Sequence, residues 1–297
     1  MTNEYTPEKI ERANSPELDA ILGVDFPVLD HGFVRVIDYM GNEAAVAQMA
    51  RVSYGKGTKS VNEDKGLLRY LLRHKHTSPF EGCEIKLHIK MPIFVMRQWI
   101  RHRTANVNEY SMRYSEPKDQ FYIPDLEQIK LQSTDNKQGR GADADSKTKH
   151  DFIEASSFVA SNAMTQYDWF NEQGVARELN RINLPVSAYT ECYWKIDLHN
   201  LLHFLNLRLN PHAQYEIRVF AEEIFKILQI WVPNIADAFV DYTLEAQTFS
   251  KQEWAIIKQM ITQDKTALQF IETRLENNGL SKREAAEFIK KIGKDND

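Results

Sequence analysis

The sequence is poor in cysteine, glycine and proline, and it has no excess of positive charge. Its 297 residues include 2 Cys, 12 Gly and 10 Pro, and 37 Lys and Arg stand against 42 Asp and Glu. Two cysteines cannot build a disulfide scaffold or a four-cysteine zinc site. A net charge of −5 argues against a surface coated in basic charge for nucleic acid. So few glycines leave little room for a glycine-rich loop that holds phosphates.

Long hydrophobic runs are also missing. The most apolar stretch, residues 85–100, contains Lys86, Lys90 and Arg97. It falls short of the roughly 18 apolar residues that a membrane-spanning helix needs. Residues 1–27 carry no apolar segment of the kind found in secretory signals. The sequence therefore predicts no membrane association and a cytoplasmic location.

The residues that are present suffice for a sizeable core, since 42% are apolar and 11% are aromatic. Residues 84–91 alternate between apolar and polar side chains, which predicts a half-buried strand. Leucines at positions 67, 68, 71 and 72 have helical spacing. Patterns of this kind predict strands over 33–37, 84–91 and 186–196, and helices over 43–51, 62–73, 93–101, 151–173, 198–209 and 211–232.

Shifts in composition divide the chain into three parts. Residues 1–29 form a polar N-terminal extension, and residues 30–244 form the folded domain. Within that domain, the charged segment 132–149 is expected to be a flexible surface insertion. Residues 245–297 are rich in Lys, Glu and Gln at amphipathic spacing, which predicts a helical C-terminal extension.

The densest functional pattern lies at the predicted end of the helix over 93–101. Arg101, His102 and Arg103 are followed by Ser111 and Arg113. The planar guanidinium group binds phosphate or carboxylate oxygens with two parallel hydrogen bonds, and a serine hydroxyl adds a further donor. In an extended segment, Ser111 and Arg113 would point toward the same anion. A solvated basic helix end interacting with the helix dipole is an equally simple interpretation.

A second polar cluster lies downstream. His199 and His203 are four residues apart on one helical face, a spacing that can hold a metal ion. The zinc-protease pattern also needs Glu after the first His, but this position is Asn200. Isolated histidine pairs are more often polar surface residues than metal ligands, so no metal site is predicted.

Other catalytic signatures are absent. Residues 55–60 resemble a P-loop only superficially, because the residue before Lys59 is Thr58 rather than Gly. Cys83 opens a predicted strand and Cys192 lies in an apolar, aromatic run. Both cysteines are interpreted as small buried side chains rather than nucleophiles.

The arrangement Arg101-His102-Arg103, seven residues and Ser111 resembles the signature of the flavin-dependent thymidylate synthases. Several separated blocks extend the resemblance in the same order, so that it spans about residues 32–242. These blocks are residues 97–99, 113–115, 121–124, 206–208 and 212–216.

The resemblance implies a fold, a reaction and an assembly. The implied fold class is α/β (α+β), an antiparallel sheet flanked by helices. The implied reaction converts dUMP to dTMP, with 5,10-methylenetetrahydrofolate as the carbon donor and FAD reduced by NADPH. It also implies a homotetramer with active sites between subunits and chemistry without a cysteine nucleophile.

The family's site residues transfer onto matching positions of this sequence. Arg208 matches the arginine that polarises the uracil, and Glu109 is expected where nucleotide and flavin meet. Residues that match dUMP contacts are Gln98, Arg101, Glu109, Ser111, Met112, Arg113, Arg181 and Arg208. Residues that match FAD contacts are Ser53, His76, Ser78, Arg101, His102, Arg103, Glu109, Asp197, His199 and His203.

Four positions depart from the family's usual residues. Asn106 stands where Ser is more frequent, Asp197 and His199 where many members have Asn and Arg, and His203 where many have Asn. Three of the four match flavin contacts, so these departures concern FAD binding rather than the nucleotide-binding arginines. Two other functions stay open from the residues alone, a nucleic-acid-binding module and a metal-dependent hydrolase that uses the histidine pair.

Overall fold

The computed structural model describes residues 12–52, 61–135, 137–263, 270–271, 273–275 and 278–292. The chain divides into two compact units, Met1–Glu245 and Ala246–Asp297. Among the described residues, no helix combines the length and the apolar character that crossing a membrane requires.

The first unit is built on a five-stranded antiparallel sheet. Its strand order is β1-β2-β3-β7-β4, so neighbours in the sheet are not always neighbours in the chain. The strands are β1 Asp25–Val28, β2 Gly32–Met40, β3 Glu84–Pro92, β4 Asn106–Glu109 and β7 Tyr189–Asp197, and β5 Lys130–Gln132 and β6 Arg140–Asp143 form a separate hairpin. The predicted fold class is confirmed.

The alternating pattern of residues 84–91 explains the central strand. Ile85, Leu87, Ile89 and Met91 are at most 1% exposed. The intervening polar side chains face the other side of the sheet, as the two-residue period of a strand requires. Since β3 pairs with β2 on one side and β7 on the other, its apolar side chains lie at the centre of the sheet face that packs into the core.

Helices cover that apolar face. Helix α9 contacts β1, β2, α5 and α8, and α8 also contacts β7. The helices of the first unit are α1 Pro16–Asp19, α2 Glu43–Arg51, α3 Val61–Arg73, α4 Ser78–Glu81, α5 Ile93–Trp99, α6 Ser146–Glu172, α7 Arg177–Asn180, α8 Leu198–Arg208, α9 Tyr215–Trp231 and α10 Pro233–Phe239. Shorter helical turns lie at Leu126–Gln128, Arg181–Asn183 and Val240–Leu244.

Four aromatic side chains lock α5 onto the core. The ring of Trp99 lies 5.1 Å from Trp194 of β7, 4.6 Å from Phe204 of α8 and 6.1 Å from Phe220 of α9, measured between centroids. All four are nearly inaccessible to solvent. Such pairs add to the free energy gained from burying the rings alone. The last residue of α5 is therefore fixed, and with it the start of the following polar segment.

The segment 132–149 has regular structure that its composition does not predict. It contains the end of β5, all of β6 and the first turn of α6, which begins at Ser146 after the capping residue Asp145. Arg140 of β6 pairs with the buried carboxylate of Glu216 on α9. Arg140 and Glu216 are 76 residues apart in sequence. Local composition does not reveal such a contact, so the composition of the segment predicts a flexible insertion.

The second unit is helical where it is described. Helix α11 spans Lys251–Gln263 and α12 spans Lys282–Ile292, and the two helices contact each other.

Replacing Ile89 by Ala should destabilise the protein strongly, because Ile89 is completely buried in the central strand. Loss of its methyl and methylene groups and the resulting cavity should lower the free energy of unfolding by about 3 kcal/mol. Met40→Ala is the matched control, since Met40 ends β2 and is 49% exposed, and it should change that free energy by less than about 0.5 kcal/mol. Urea unfolding measures both values, and equal losses would contradict this account of the core.

Candidate active site

The Arg101–Arg103 segment lies between the fixed end of α5 and the edge strand β4. The backbone N–H of His102 donates to the carbonyl of Trp99 at 3.0 Å, which continues the last turn of α5. Four residues later the chain joins the sheet, where Asn106 pairs with Lys195 of β7. Arg101 and Arg103 are exposed and His102 is partly buried. The sequence therefore presents two guanidinium groups to solvent and turns the imidazole inward.

His102 and Arg208 form the central contact of the site. Nε of Arg208, the last residue of α8, donates to Nε2 of His102 at 2.9 Å. The imidazole also packs edge-on against Phe204 at 4.8 Å. Burial, followed by the charges of Arg208 and His203, lowers the pKa of His102 to about 4. The ring is therefore neutral near pH 7, and because Nε2 accepts a hydrogen bond, Nδ1 carries the proton.

Arg208 remains a cation in spite of its surroundings. Burial lowers its pKa, but a guanidinium group does not lose its proton at any pH at which proteins work. A neutral histidine holds it without cancelling its charge. The contact thus fixes a partly buried positive charge whose remaining N–H groups are available to a ligand.

Glu109 stands at the end of the edge strand. It pairs with Cys192 of β7, and its Oε1 accepts a hydrogen bond from the Thr190 hydroxyl at 2.9 Å. The N–H of Tyr110 then donates to the carbonyl of Glu191 at 2.7 Å, which extends the pairing by one residue. The carboxylate is exposed but oriented by this strand.

A turn follows β4, so Ser111 and Arg113 do not lie in an extended segment, the arrangement in which both would face one anion. The carbonyl of Ser111 accepts from the N–H groups of Tyr114 and Ser115 at 3.1 and 3.2 Å. The Tyr110 hydroxyl closes the turn by donating to the carbonyl of Glu116 at 2.7 Å. These hydrogen bonds join residues at most six positions apart, and Nη1 of Arg177 on α7 also donates to the carbonyl of Tyr114 at 3.4 Å. Met112 lies within the turn and is 7% exposed.

The predicted nucleotide-binding residues Arg113 and Arg181 meet at helix α7. Nη2 of Arg113 lies 3.5 Å from Oε2 of Glu178. Nε of Arg181 donates to the backbone carbonyl of the same glutamate at 3.4 Å. All three residues are exposed. Two arginines from distant parts of the chain therefore lie on one surface, 68 positions apart in sequence numbering (181 − 113) and held by weak, displaceable contacts.

Gln98 contacts Gln214, and Gln214 in turn contacts Glu216, two residues to which the sequence analysis assigned no role. Nε2 of Gln98 donates to Oε1 of Gln214, and Nε2 of Gln214 donates to Oε2 of Glu216 at 2.9 Å. Glu216 is 1% exposed. Both residues lie in the block 212–216 that contributes to the family resemblance, which is the signal that could have drawn attention to them.

Four of the residues that match flavin contacts, His76, Ser78, His199 and His203, lie on two neighbouring helices and the loop before one of them. His76 and Ser78 precede and begin α4, which contacts α8. The His76 ring stacks on Tyr70 at 5.8 Å. On α8, His199 is half-buried and His203 is exposed one turn later. Ser53 lies outside the described residues.

Asp197 has a structural role that explains its identity. It caps α8, because Oδ1 accepts from the N–H of Asn200 at 2.9 Å and Oδ2 accepts from its side-chain amide at 2.7 Å. Aspartate is among the best residues for this position. Both carboxylate oxygens are thus engaged within the helix end, although the sequence assigns Asp197 to the flavin.

Neither cysteine has the character of a nucleophile. Cys83 and Cys192 are 0% and 2% exposed. Burial raises the pKa of each thiol to about 12. Because the thiolate is the reactive form, both groups are inert near neutral pH.

The histidine pair finds no third ligand in the described ranges of the chain. No group of three or more His, Cys, Asp or Glu residues there could hold a metal ion. Nothing in the geometry therefore favours the metal-dependent hydrolase that the i, i+4 spacing left open.

Solved structures of known proteins share this fold. The UMP/dUMP methylase PolB from Streptomyces cacaoi, bound with 5-Br dUMP, matches with a TM-score of 0.67 at 29% identity. That match covers 74% of this chain and 99% of the other.

Sequence comparison is more specific. Residues 35–234 match the family described as thymidylate synthase complementing protein. A flavin-dependent thymidylate synthase from Wolbachia pipientis wMel is 51% identical over 287 residues, which are 97% of this chain and 99% of that protein. One from Gluconobacter oxydans (strain 621H) is 50% identical over 285 residues, 95% of this chain and 92% of the other. The resemblance found in the sequence is confirmed, and the chain belongs to the flavin-dependent thymidylate synthase family.

Proposed function

We propose that this protein converts dUMP to dTMP, with 5,10-methylenetetrahydrofolate as the carbon donor and FAD reduced by NADPH as the hydride source. Membership in the family supports the reaction, and the 5-Br dUMP held by the related methylase supports the nucleotide. The observation that carries the proposal is the Arg208–His102 contact, a fixed and partly buried positive charge beside exposed arginines.

Arg113, Arg181 and Ser111 are proposed to bind the phosphate of dUMP. In the free chain, Arg113 faces Glu178 at 3.5 Å, and both side chains are more than half exposed. Exposed pairs of this kind contribute about 0–1 kcal/mol. A phosphate monoester carries more charge and three acceptor oxygens, so it should displace the carboxylate. Arg101, Met112 and Gln98 are proposed to complete the nucleotide site.

Arg208 is proposed as the catalytic residue. Negative charge develops on the uracil ring when carbon 5 becomes nucleophilic, and a guanidinium already in place stabilises that charge without reorganising. His102 orients Arg208 through Nε, which leaves the Nη groups for the base. Since the imidazole is neutral, it orients the guanidinium without competing with the substrate for its charge.

The side chains near α8 fit a flavin by their donor chemistry. Arg101 and Arg103 are exposed guanidinium groups suited to a diphosphate. His199 and His203 supply ring N–H groups, and Ser78 supplies a hydroxyl. When bound, the flavin supplies the hydride that completes the methyl group. Ser53, His76, Asp197 and Glu109 are proposed as further contacts, Glu109 between nucleotide and flavin and His76 toward the folate.

A second subunit is proposed to complete the site. Arg101, Arg103, Arg113 and Arg181 are all exposed in the single chain, whereas binding of a nucleotide and a flavin requires an enclosed site. A homotetramer with active sites between subunits would bring the exposed arginines of one subunit against the substrate held by another.

The absorption spectrum of the purified protein tests the proposal. We expect a flavin band that shifts when dUMP is added, since both are proposed to meet at Glu109. We also expect release of tritium from [5-³H]dUMP that requires both NADPH and methylenetetrahydrofolate. A protein that takes up no FAD on reconstitution and leaves the tritium in place would refute the proposed function.

Arg208→Ala should lower kcat/KM for dUMP by at least about 100-fold, because a preorganised charge at the reacting ring is lost. Cys83→Ser and Cys192→Ser are the contrast, and each should keep activity within about threefold per folded molecule because neither thiol ionises near neutral pH. In Cys83→Ser the new hydroxyl can keep the contact that Sγ makes with the Asn42 carbonyl at 3.5 Å. Tritium release measures all three, and loss of activity in a folded serine variant would point to thiolate chemistry.

The lowered pKa of His102 predicts a pH-dependent stability. In the unfolded chain the imidazole has a pKa of about 6.5, against about 4 in the folded protein. Between these values the unfolded state binds more protons, so the free energy of unfolding should fall as pH drops from 6.5 toward 4. His102→Asn removes this titration.

The decrease in that free energy between pH 6.5 and 4.5 should therefore be smaller in His102→Asn than in the wild type. His150→Asn, an exposed position on α6, is the matched control and should keep the wild-type decrease. Urea unfolding at several pH values measures the difference. Parallel curves for the wild type and His102→Asn would show that His102 does not titrate in this way.

A further inference from the structure

A buried carboxylate connects the β5–β6 hairpin to the proposed nucleotide site. We propose that Arg140, Glu216 and Gln214 are positioning residues that fix which way the side-chain amide of Gln98 faces, and so make the site select the uracil ring. This inference rests on the proposed function, because it assigns the specificity of the same nucleotide site.

Glu216 lies in the first turn of α9 and is almost completely buried. Its Oε1 accepts hydrogen bonds from Arg140 and from the hydroxyl of Tyr122, the latter at 3.1 Å. Its Oε2 accepts from Gln214 at 2.9 Å. Burial, and then the Glu216 carboxylate, raise the pKa of Tyr122, so that hydroxyl stays a donor. Three side chains therefore donate to the carboxylate, and both of its oxygens accept.

The Glu216 carboxylate stands at one end of a series of hydrogen bonds that continues through Gln214 to Gln98. It determines the orientation of both side-chain amides. An ionised carboxylate accepts hydrogen bonds and cannot donate, so Gln214 must turn its NH₂ group toward Glu216. The Oε1 atom of Gln214 then faces Gln98, which must present its own NH₂ group there. One N–H and the Oε1 atom of Gln98 remain for a ligand, in a fixed order.

The fixed placement of the donor and the acceptor on the Gln98 amide allows hydrogen bonds to one pyrimidine base and not to the other. Uracil presents an N3–H donor beside the O4 acceptor, whereas cytosine presents an N3 acceptor beside an amino donor. An amide with a fixed acceptor and donor pairs with one of these edges, and the reversed amide pairs with the other. A site whose polar group cannot turn leaves the wrong base with unpaired groups, which is a strong source of discrimination.

The hairpin helps to hold the Glu216 carboxylate in place, because Arg140 of β6 forms an ion pair with it. Arg140, Gln214 and Glu216 also line a cavity of about 610 Å³ between the hairpin and α6. Water can enter a polar cavity of this size and replace a lost donor. Variants of Arg140 should therefore fold, but a mobile water would not orient the carboxylate as the guanidinium does.

Glu216→Gln tests the inference, because an amide at 216 can both donate and accept and no longer dictates the direction of Gln214. The FAD-loaded full chain is titrated with dUMP and with dCMP, and the ratio of the two Kd values is compared with that of the wild type. We expect the preference for dUMP over dCMP to fall by at least about tenfold, equivalent to about 1.4 kcal/mol. The flavin content should stay at the wild-type level.

Two variants separate positioning from a general effect on structure. Gln214→Leu breaks the connection at an exposed position, so it should fold and should lower the preference to a similar extent even if Glu216→Gln fails to fold. Asp143→Asn is the matched control on the same hairpin. Asp143 lies near Lys130 and Lys149 and should leave the preference unchanged.

An unchanged preference in folded Glu216→Gln or in Gln214→Leu would overturn the inference, as would an equal loss in Asp143→Asn. A wild-type protein that binds dUMP but shows no preference over dCMP would also overturn it. A wild-type protein that binds neither nucleotide and releases no tritium from [5-³H]dUMP would instead refute the proposed function, so the two failures are distinguishable.

Discussion

The packing of Trp99 against Trp194, Phe204 and Phe220 is the constraint on which the rest of the site depends. These rings come from α5, β7, α8 and α9, so their burial fixes the end of one helix against a strand and two other helices. Arg101–Arg103 follow α5 directly, and Arg208 is the last residue of α8. Because large aromatic rings in a dense core tolerate little displacement, the positions of Arg101–Arg103 and Arg208 are set together.

The site combines this rigid base with charges that lack strong opposite partners. Arg208 is held by a neutral histidine at 2.9 Å, and Arg113 meets only an exposed carboxylate at 3.5 Å. Glu216 shows the opposite arrangement, since it is buried and accepts from three side chains. Charge is therefore neutralised where the protein needs a fixed framework and left available where an anionic ligand is proposed to bind.

Local patterns predicted much of the fold. The alternation of residues 84–91 matches β3, the helix over 43–51 matches α2, and the long helix predicted to end near Gly174 ends at Glu172 with Gly174 at a positive φ of 79°. The turn at Ser111–Ser115 and the hairpin at Lys130–Asp143 were not predictable. Arg177 of α7 contacts the Tyr114 carbonyl and Glu116 at the turn, and Arg140 of the hairpin contacts Glu216 of α9. A window of sequence does not contain such distant partners.

The sequence by itself determined the family, the absence of a reactive cysteine and the residue types available for an anionic nucleotide and a flavin. Only the tertiary structure decided that His102 is neutral and that Arg140 reaches Glu216. The physical reason is sequence distance: His102 and Arg208 are 106 residues apart, and Arg140 and Glu216 are 76 apart. Such contacts depend on how strands and helices pack together, whereas residue types and short-range periodicity are present in the chain before it folds.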